Sequence, residues 1–478
     1  MKQDKPRKRL FGTNGVRGIF GKDLTIELTI DLIYSLSTYF KYGPIIVGCD
    51  GRKSNEILSN VVTSTLNSGG LDVIYAGKVP TPCLQFAIKN KKCNGGIMIT
   101  ASHNPPEYNG IKPCSKEGVE ISREDELIVE EIFYSKKFAK IDGTNKTYKD
   151  DSVIREYIDK VQSLIDVDKI KSRAFKVVLD LGNGVQSLVA PYLLKNLGCE
   201  VITVYSDIDG NFPGRGPEPT VENLNTLSKM VKDNNADFGV AYDGDGDRSI
   251  FCDEKGVIHP GDRTAALLVK YLLNTKHKNA EIICPINTTM NVSLVAQELN
   301  SKVIETKVGS VEVSREMLKR NAIIGLEENG GFMYGKINQV RDGTMTTALI
   351  LEMLANSNSF DNDFDSNLKN NQTTNTEEFR TFSELLSSLK KIYQFKTKFQ
   401  CKSKEIADKI ITDCIKHGNP MKVDTLDGAK IWIDEETWVM VRPSGTEPLV
   451  RMYAESTSET LLDSKVREYT RIIENMIK

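Results

Sequence analysis

Short apolar runs rich in β-branched residues recur along the chain, and each gives way to a polar loop. Residues 44–47 lead into Gly48-Cys49-Asp50-Gly51, and residues 176–179 into Asp180-Leu181-Gly182-Asn183-Gly184. The pattern returns at 97–100 before Ala101-Ser102-His103-Asn104-Pro105-Pro106, at 238–242 before Asp243, and at 322–325 before Glu327-Glu328-Asn329-Gly330-Gly331. Runs of this length bounded by turn residues predict buried strands, and helical stretches such as 57–67 and 191–197 lie between several of them. The alternation predicts α/β units. In open α/β sheets ligands collect outside the carboxyl ends of the strands, so the loops that follow the runs are where chemistry is to be sought.

Two stretches break this rhythm. Residues 356–378 are crowded with Asn, Asp, Ser and Thr, a composition that does not offset the entropy of ordering a backbone, and they read as an exposed linker. Beyond it, residues 431–433 and 438–441 predict adjacent strands, and 449–454 a third after a Pro/Gly turn. The last helix places Leu462, Val466, Tyr469, Ile473 and Met476 on one face, with Ser456 and Glu459 as its capping box. This predicts a small α+β domain.

At 478 residues the chain exceeds what one hydrophobic core usually organises, so several domains are expected, each with a core of its own. Apolar residues at 39% and charged residues at 27% exclude a disordered or membrane-embedded chain. Lys plus Arg (63) nearly cancels Asp plus Glu (65), which leaves no global field to gather nucleic acid. An anion site therefore has to be built locally from a few aimed groups. The nine cysteines form no C-x-x-C pair and no zinc-like cluster with the four histidines, which favours reduced thiols. The N-terminus is basic (Lys2, Lys5, Arg7, Lys8, Arg9) without the apolar stretch of a signal peptide, and no later run is long enough to cross a bilayer. A cytoplasmic protein with no membrane or nucleic-acid partner is expected.

The strongest local signal is Asp243-Gly244-Asp245-Gly246-Asp247-Arg248, three carboxylates at alternate positions with glycines that let the backbone curl inward. Hard oxygen donors at this density suit Mg²⁺ or Ca²⁺. A solvated acidic turn is the plain alternative, but carboxylates this close repel one another unless a cation or hydrogen-bond donors compensate. An EF-hand is the sharper rival, with Asp243, Asp245 and Asp247 at its first, third and fifth positions and Glu254 at its twelfth. It fails because Arg248 stands where the turn needs glycine, and because strands are predicted where helices must flank the loop. Arg248 beside a metal suits an additional anion such as phosphate.

Three other loops carry weaker signals. Ser102, after an apolar strand and before two prolines, has a hydroxyl that the turn can hold outward for reaction; an ordinary polar turn is the alternative. A serine hydrolase fits poorly, because there is no G-x-S-x-G elbow and His103, as immediate neighbour, is expected to point away from the hydroxyl. Glu327 and Asn329 offer a carboxylate and an amide at alternate positions, suited to paired sugar hydroxyls. Arg442-Pro443-Ser444-Gly445-Thr446-Glu447-Pro448 offers a guanidinium, two hydroxyls and glycine-exposed amides, suited to a phosphate monoester, with a hydroxyl-capped turn as the alternative.

Together these segments resemble the α-D-phosphohexomutase superfamily over nearly the whole chain and in the expected order. Phe11-Gly12-Thr13-Asn14-Gly15-Val16-Arg17-Gly18 is similar to its N-terminal signature, and residues 100–106 followed by Tyr108-Asn109-Gly110-Ile111-Lys112 to its phosphoserine loop. Residues 211–220 and the loops at 243–248, 327–331 and 442–448 also match. The resemblance implies an α/β protein of four domains around a central cleft. Three are related three-layer α/β/α units with mixed sheets, and the last is a smaller α+β domain with a TATA-binding-protein-like fold. The expected boundaries are 1–152, 153–254 and 255–355, then the linker 356–378 and the domain 379–478.

It further implies that Ser102 is the phosphorylated nucleophile and that Asp243, Asp245 and Asp247 hold Mg²⁺ together with a phosphoserine oxygen on Ser102. Glu327 and Asn329 would bind sugar hydroxyls, while Arg442, Ser444, Gly445 and Thr446 would hold the phosphate that is not reacting. Arg17, His103, Lys112 and Arg248 match positions near the phosphoserine. Some relatives carry His where this chain has Gly331, and an acidic residue is frequent where Ser310 ends Thr306-Lys307-Val308-Gly309-Ser310, a segment similar to the family's specificity loop.

The implied reaction interconverts hexose 6-phosphate and hexose 1-phosphate through a hexose 1,6-bisphosphate. Lys112 and His103 are the candidate general bases, Lys112 only if its surroundings lower its pKa. Residues 11–18 and 442–448 look most like phosphoglucosamine mutases and archaeal phosphomannomutase/phosphoglucomutase relatives. Glucosamine phosphate is therefore favoured, with mannose or glucose phosphate as the alternative. The expected partners are these small sugar phosphates, for a monomer or homodimer. A non-catalytic calcium-binding protein is the rival from another class, and it leaves the other three loops unexplained.

Overall fold

The computed structural model describes residues 9–12, 14–139, 145–358, 379–401, 403–417, 420–444 and 449–477. The first sheet contains β1 (Val16–Ile19), β2 (Ile45–Cys49), β3 (Val73–Lys78), β4 (Gly95–Ile99), β5 (Tyr108–Ser115) and β6 (Thr147–Lys149), in the spatial order β1-β5-β4-β2-β3-β6. The second contains β7 (Lys176–Asp180), β8 (Glu200–Val204), β9 (Phe238–Tyr242) and β10 (Ser249–Asp253), ordered β10-β9-β7-β8. The third contains β11 (Ile282–Pro285), β12 (Val303–Thr306), β13 (Ile324–Glu327) and β14 (Gly331–Tyr334), ordered β12-β11-β13-β14.

One motif underlies all three sheets. A central strand pairs in parallel with the next two in the chain, and the second of those pairs antiparallel with the strand that follows it. The first sheet adds β1 and β6 at its edges. The inner strands β2, β4 and β9 are buried along their length, as expected where helices cover both faces of a sheet and the side chains are apolar.

Each domain has an apolar cluster of its own, as expected, and a further core joins the first three. One apolar core runs continuously from Cys83 and Phe86 of the first domain through Val177 and Phe238 of the second to Leu267 and Ile350 of the third. The reason lies in the helices Gly261–Thr275 and Gly343–Ala355. The second is buried at every position, so it has no face to give to solvent and packs between domains. Tyr157, on the helix Val153–Gln162, pins the same junction. Its ring meets Phe86 at 6.0 Å between centroids, and its hydroxyl donates to Asp342 at 2.5 Å.

The C-terminal domain is an antiparallel sheet of β15 (Tyr393–Gln400), β16 (Lys422–Asp424), β17 (Ala429–Asp434), β18 (Thr437–Pro443) and β19 (Leu449–Ser456), ordered β15-β19-β18-β17-β16. The helices Lys404–His417 and Glu459–Ile477 pack on it, and Leu462, Tyr469 and Ile473 are buried there as the periodicity predicted. Trp438, Met440 and Tyr453 instead pack on Ile286 and Met290 of the third domain. The capping residue is corrected from Ser456 to Ser458. Ser456 ends β19, and the Leu461 amide donates to Ser458 Oγ at 3.3 Å. Most of the expected linker, residues 359–378, lies outside the described residues.

Candidate active site

Each of the first three sheets sends one loop out at the same point, between the third and fourth strands of its motif. These are the links β4 to β5 with Ser102, β9 to β10 with the three aspartates, and β13 to β14 with Asn329. Because the motif is shared, the three loops stand at equivalent ends of their sheets. The EF-hand is excluded directly, since strands flank the acidic loop on both sides.

The Ser102 loop is shaped by a buried ion pair. Asp50, just past β2, accepts from Arg52 Nε at 3.2 Å and from Thr100 Oγ1 at 2.6 Å. The Arg52 guanidinium, fully enclosed, donates to the carbonyls of Ser102 (2.7 Å), Asn104 (2.6 Å), Pro105 (2.6 Å) and Tyr108 (2.8 Å). Ser102 itself has φ of 50°, in the left-handed region that a residue with a Cβ enters at a cost. Ser102 is fully buried and its hydroxyl donates to Asp243 Oδ2 at 2.8 Å, so the predicted outward-facing hydroxyl faces the acidic loop rather than solvent. The orientation expected for His103 is corrected as well. Its Nδ1 lies 3.3 Å from Ser102 Oγ, because the left-handed turn swings the neighbouring side chain back over the hydroxyl.

The acidic loop turns on its own glycines. Gly246 has φ of 75°, and its amide donates to the Asp243 carbonyl at 3.1 Å. Asp243, Asp245 and Asp247 are each buried, and one ligand oxygen from each lies within 4.8 Å of the others. Thr81 Oγ1 donates to Asp245 at 2.6 Å, and Lys112 Nζ reaches Asp245 at 3.3 Å and Asp247 at 3.5 Å. Arg17 donates to the Ala101 carbonyl at 3.1 Å and to Asn104 Oδ1 at 2.9 Å, bracing the Ser102 loop from its other side. Arg248 donates to Glu218 at 3.2 Å, while its Nε has no hydrogen-bond partner among the described residues.

Burial, then the charges of Asp245 and Asp247, push the Asp243 carboxyl well above its usual range. Burial would raise Asp245 too, but Lys112, Thr81 and Arg17 hold it below its ordinary value. Burial opposes the charge on Lys112, yet Asp245 and Asp247 raise its pKa, so the lowering that would make it a base is not found in this arrangement. Arg248, followed by burial and Arg17, drives His103 down, which keeps its imidazole neutral.

A divalent metal fits this donor set on two observations. Asp245 Oδ1 and Asp247 Oδ1 are buried without hydrogen-bond partners among the described residues, and burial together with the charges of Asp245 and Asp247 pushes the Asp243 carboxyl up, as expected of carboxylates crowded with no cation between them. Three hard oxygens with charge to spare are what Mg²⁺ takes up.

Glu327 ends β13, is buried, and accepts from Arg341 at 2.9 Å. The same guanidinium donates to Asp247 at 2.5 Å, so Arg341 ties the sugar-loop candidate to the acidic loop. Asn329 Oδ1 is enclosed and without a partner. In the fourth domain Arg442 pairs with Asp427 at 3.1 Å, and Asp427 in turn accepts the Val308 amide of the third domain at 3.0 Å. Ser444 donates its amide to the Leu449 carbonyl at 2.8 Å; Gly445 and Thr446 lie outside the described residues.

The structure thus brings Ser102, His103, Lys112, Arg17 and Arg248 to the three aspartates, and Glu327 joins them through Arg341. Arg442 is seated against Asp427. Sequence reasoning missed Arg52, Thr81, Arg341 and Asp427. Only the Asp50-Gly51-Arg52 spacing, an acid and a base straddling a glycine after a strand, offered a signal for the first of them.

Comparison with known proteins agrees with this layout. Four successive segments match Phosphoglucomutase/phosphomannomutase: alpha/beta/alpha domain I at 8–140, domain II at 155–256, domain III at 260–370 and the C-terminal domain at 400–469. A phosphoglucomutase/phosphomannomutase of Thermococcus kodakarensis is 41% identical over 97% of each chain. A phosphoglucosamine/phosphogalactosamine mutase of Sulfurisphaera tokodaii is 39% identical over 98% of this chain and 99% of its own. The crystal structure of a phosphoglucomutase/phosphomannomutase family protein from Burkholderia thailandensis superposes with a TM-score of 0.83 at 25% identity, covering 98% of this chain and 97% of that one. With four domains in order and relatives matched nearly end to end, the chain belongs to the phosphoglucomutase/phosphomannomutase family of the α-D-phosphohexomutase superfamily.

Proposed function

We propose that Ser102 is the phosphoryl carrier of a phosphohexomutase, an isomerase that moves phosphate between the 6- and 1-positions of a hexose. The observation that carries this reading is the Ser102 hydroxyl 2.8 Å from Asp243 inside a buried cluster of three carboxylates. Asp243, Asp245 and Asp247 would hold Mg²⁺ with an oxygen of the phosphorylated Ser102. When bound, the metal offsets the carboxylates and draws charge from the transferring phosphoryl oxygens.

The remaining work falls to the chain's own groups. Arg52 and Arg17 fix the Ser102 loop, while Arg248 and Lys112 supply positive charge beside it. Glu327 and Asn329 grip sugar hydroxyls, and Arg442 and Ser444, with Gly445 and Thr446, hold the distal phosphate. A sugar hydroxyl oxygen bonds to phosphorus as the bond from phosphorus to Ser102 Oγ breaks, and the hydroxyl proton passes to a nearby base. The two candidates are His103, neutral and beside Ser102 Oγ but weakened as a base by Arg248, burial and Arg17, and Lys112, which must first lose its charge. The hexose 1,6-bisphosphate so formed turns over, and Ser102 Oγ takes its other phosphoryl group. The burial of Ser102 keeps water from the phosphoserine, which separates a mutase from a phosphatase.

Glucosamine 6-phosphate is the proposed substrate, with mannose and glucose phosphates as the alternative; the two closely matched relatives above carry names of both kinds. A cytoplasmic setting is supported by nine cysteines that are all free and buried. Among the described residues no helix is long and apolar enough to cross a membrane.

The test is a coupled assay across the three 6-phosphates, joined to intact-mass measurement of the active enzyme. The expected result is turnover with glucosamine 6-phosphate and a protein heavier by one phosphoryl group on Ser102. An active enzyme without phosphate on Ser102 overturns the carrier assignment.

A further inference from the structure

Gly331 opens β14 opposite Glu327, and a Cβ built on it would stand 2.3 Å from Arg341 Cδ and 2.8 Å from its Cγ. These are mid-chain atoms of a side chain whose head is held twice, by Glu327 at 2.9 Å and by Asp247 at 2.5 Å. The arginine therefore cannot move aside without giving up one of its buried ion pairs. Gly331 is not among the residues of positive φ, so its backbone accepts any side chain. What forbids one is Arg341, which runs through the space that a side chain at 331 would fill; Asn329 Oδ1, at 3.2 Å from the same Cβ, is a looser contact that a small shift relieves.

We infer that Arg341 is a positioning residue for sugar recognition: it occupies the empty side-chain place of Gly331 and aims the Glu327 carboxylate while tethering it to the acidic loop. The inference rests on Glu327 binding the sugar. Its physical basis is the planar fork of the guanidinium, which serves two carboxylates in fixed directions as an ammonium cannot. Neither Asp247 nor Glu327 is exposed, so the bridge lies within the protein and survives salt that would screen a surface pair.

The inference is tested with Gly331→Ala, Arg341→Ala, Arg341→Lys and the double variant Gly331→Ala/Arg341→Ala, all in the full chain. KM and kcat are measured for the hexose phosphate that the parent turns over, and thermal melting is recorded without substrate. Gly331→Ala is expected to raise KM about tenfold or more, the loss of one charge-assisted hydrogen bond, with kcat changed less. Arg341→Lys is expected to fail to restore the parent KM.

The double variant is expected to be no worse than Arg341→Ala alone, because the clash disappears with the arginine. A parent-like KM in Gly331→Ala, or losses that add in the double variant, overturns the inference. Gly331→Ala keeps both carboxylates and their arginine in the chain and carries the test by itself if Arg341→Ala does not fold. If the parent turns over no hexose phosphate, the functional proposal fails. The link between Gly331 and Arg341 is then judged by melting, where non-additive losses support it and additive losses overturn it.

Discussion

In the first domain Asp50 follows β2 and pairs with Arg52, whose guanidinium collects the carbonyls of Ser102, Asn104, Pro105 and Tyr108. In the second, Asp180 ends β7 and pairs with Arg215 at 2.8 Å, and that guanidinium takes only the carbonyls of Tyr242 and Gly216. The two sheets share a motif and a buried acid-base pair, yet the first loop is held far more heavily. The difference tracks the residues in each loop. The acidic loop turns at Gly246 and closes its own backbone bond to Asp243, and its other carbonyls take single bonds from separate donors, the Thr81 amide to Asp245 at 2.9 Å and Gln186 Nε2 to Gly246 at 2.8 Å. The Ser102 loop also closes a backbone bond of its own, from the Asn104 amide to the Ala101 carbonyl at 3.0 Å, but it places a residue with a Cβ in the left-handed region without a glycine to relieve it, and one guanidinium gathers its carbonyls. Where a turn strains a residue with a Cβ, a single tertiary charge reinforces it.

The largest effect that would break this comparison belongs to Ser102. If the strained turn exists to present a reacting oxygen, Ser102→Ala loses about a thousandfold or more in turnover while melting as the parent does. Substantial mutase activity in that variant would mean the loop serves some other end. Next comes the contrast itself. Arg52→Met takes the paired cation from buried Asp50, which keeps neutral donors in Thr100 and Asn55, and a donor from four carbonyls, and is expected to cost about 3–5 kcal/mol in denaturant unfolding, more than Arg215→Met. Equal losses, or a larger loss at Arg215, would show that the two loops lean on their arginines alike.

The third domain sharpens the comparison by pH. Asp262 there takes hydrogen bonds from the Thr289 amide at 3.2 Å and from Gln394 at 3.1 Å, and no arginine is among its hydrogen-bond partners. Burial lifts its carboxyl to about 6, with Glu455 and Glu328 adding to the rise and Lys396 opposing it. A folded-state pKa above the unfolded one contributes stability at pH below the unfolded value, lost as pH climbs through the folded value. The parent should therefore lose up to about 3 kcal/mol between about pH 4 and pH 6 through this group, and Asp262→Asn should flatten that part of the profile. An unchanged slope would place the acid-side dependence elsewhere. The smallest effect is at the fourth domain. Arg442→Ala should raise KM for a hexose phosphate about tenfold with kcat less affected, measured in the same coupled assay, and an unchanged KM would remove Arg442 from the phosphate clamp.

Much of the architecture was legible in the chain. The strand and loop pattern located β2, β4, β7, β9 and β13, and the spacing of the acidic loop announced a carboxylate cluster that fits a metal. What escaped has a common cause. Arg341 reaches Asp247 across 94 residues and Thr81 reaches Asp245 across 164, separations at which no local pattern marks a partner. The left-handed Ser102 reversed the expected direction of His103, because φ at one residue decides where the next side chain points. The continuous core could have been anticipated from the helix Gly343–Ala355, whose lack of a polar face already implied burial on every side.

By itself the sequence determined the strands, the order of the loops and the curl of the acidic turn, because each depends on neighbouring residues: apolar runs, glycine spacing, turn formers. Only the tertiary structure decided that the Ser102 hydroxyl meets Asp243, 141 residues away, which aspartate resists ionisation, and which arginine fills the space left by Gly331. Burial and the distance between charges set those outcomes, and both are properties of the packed chain in space rather than of its order.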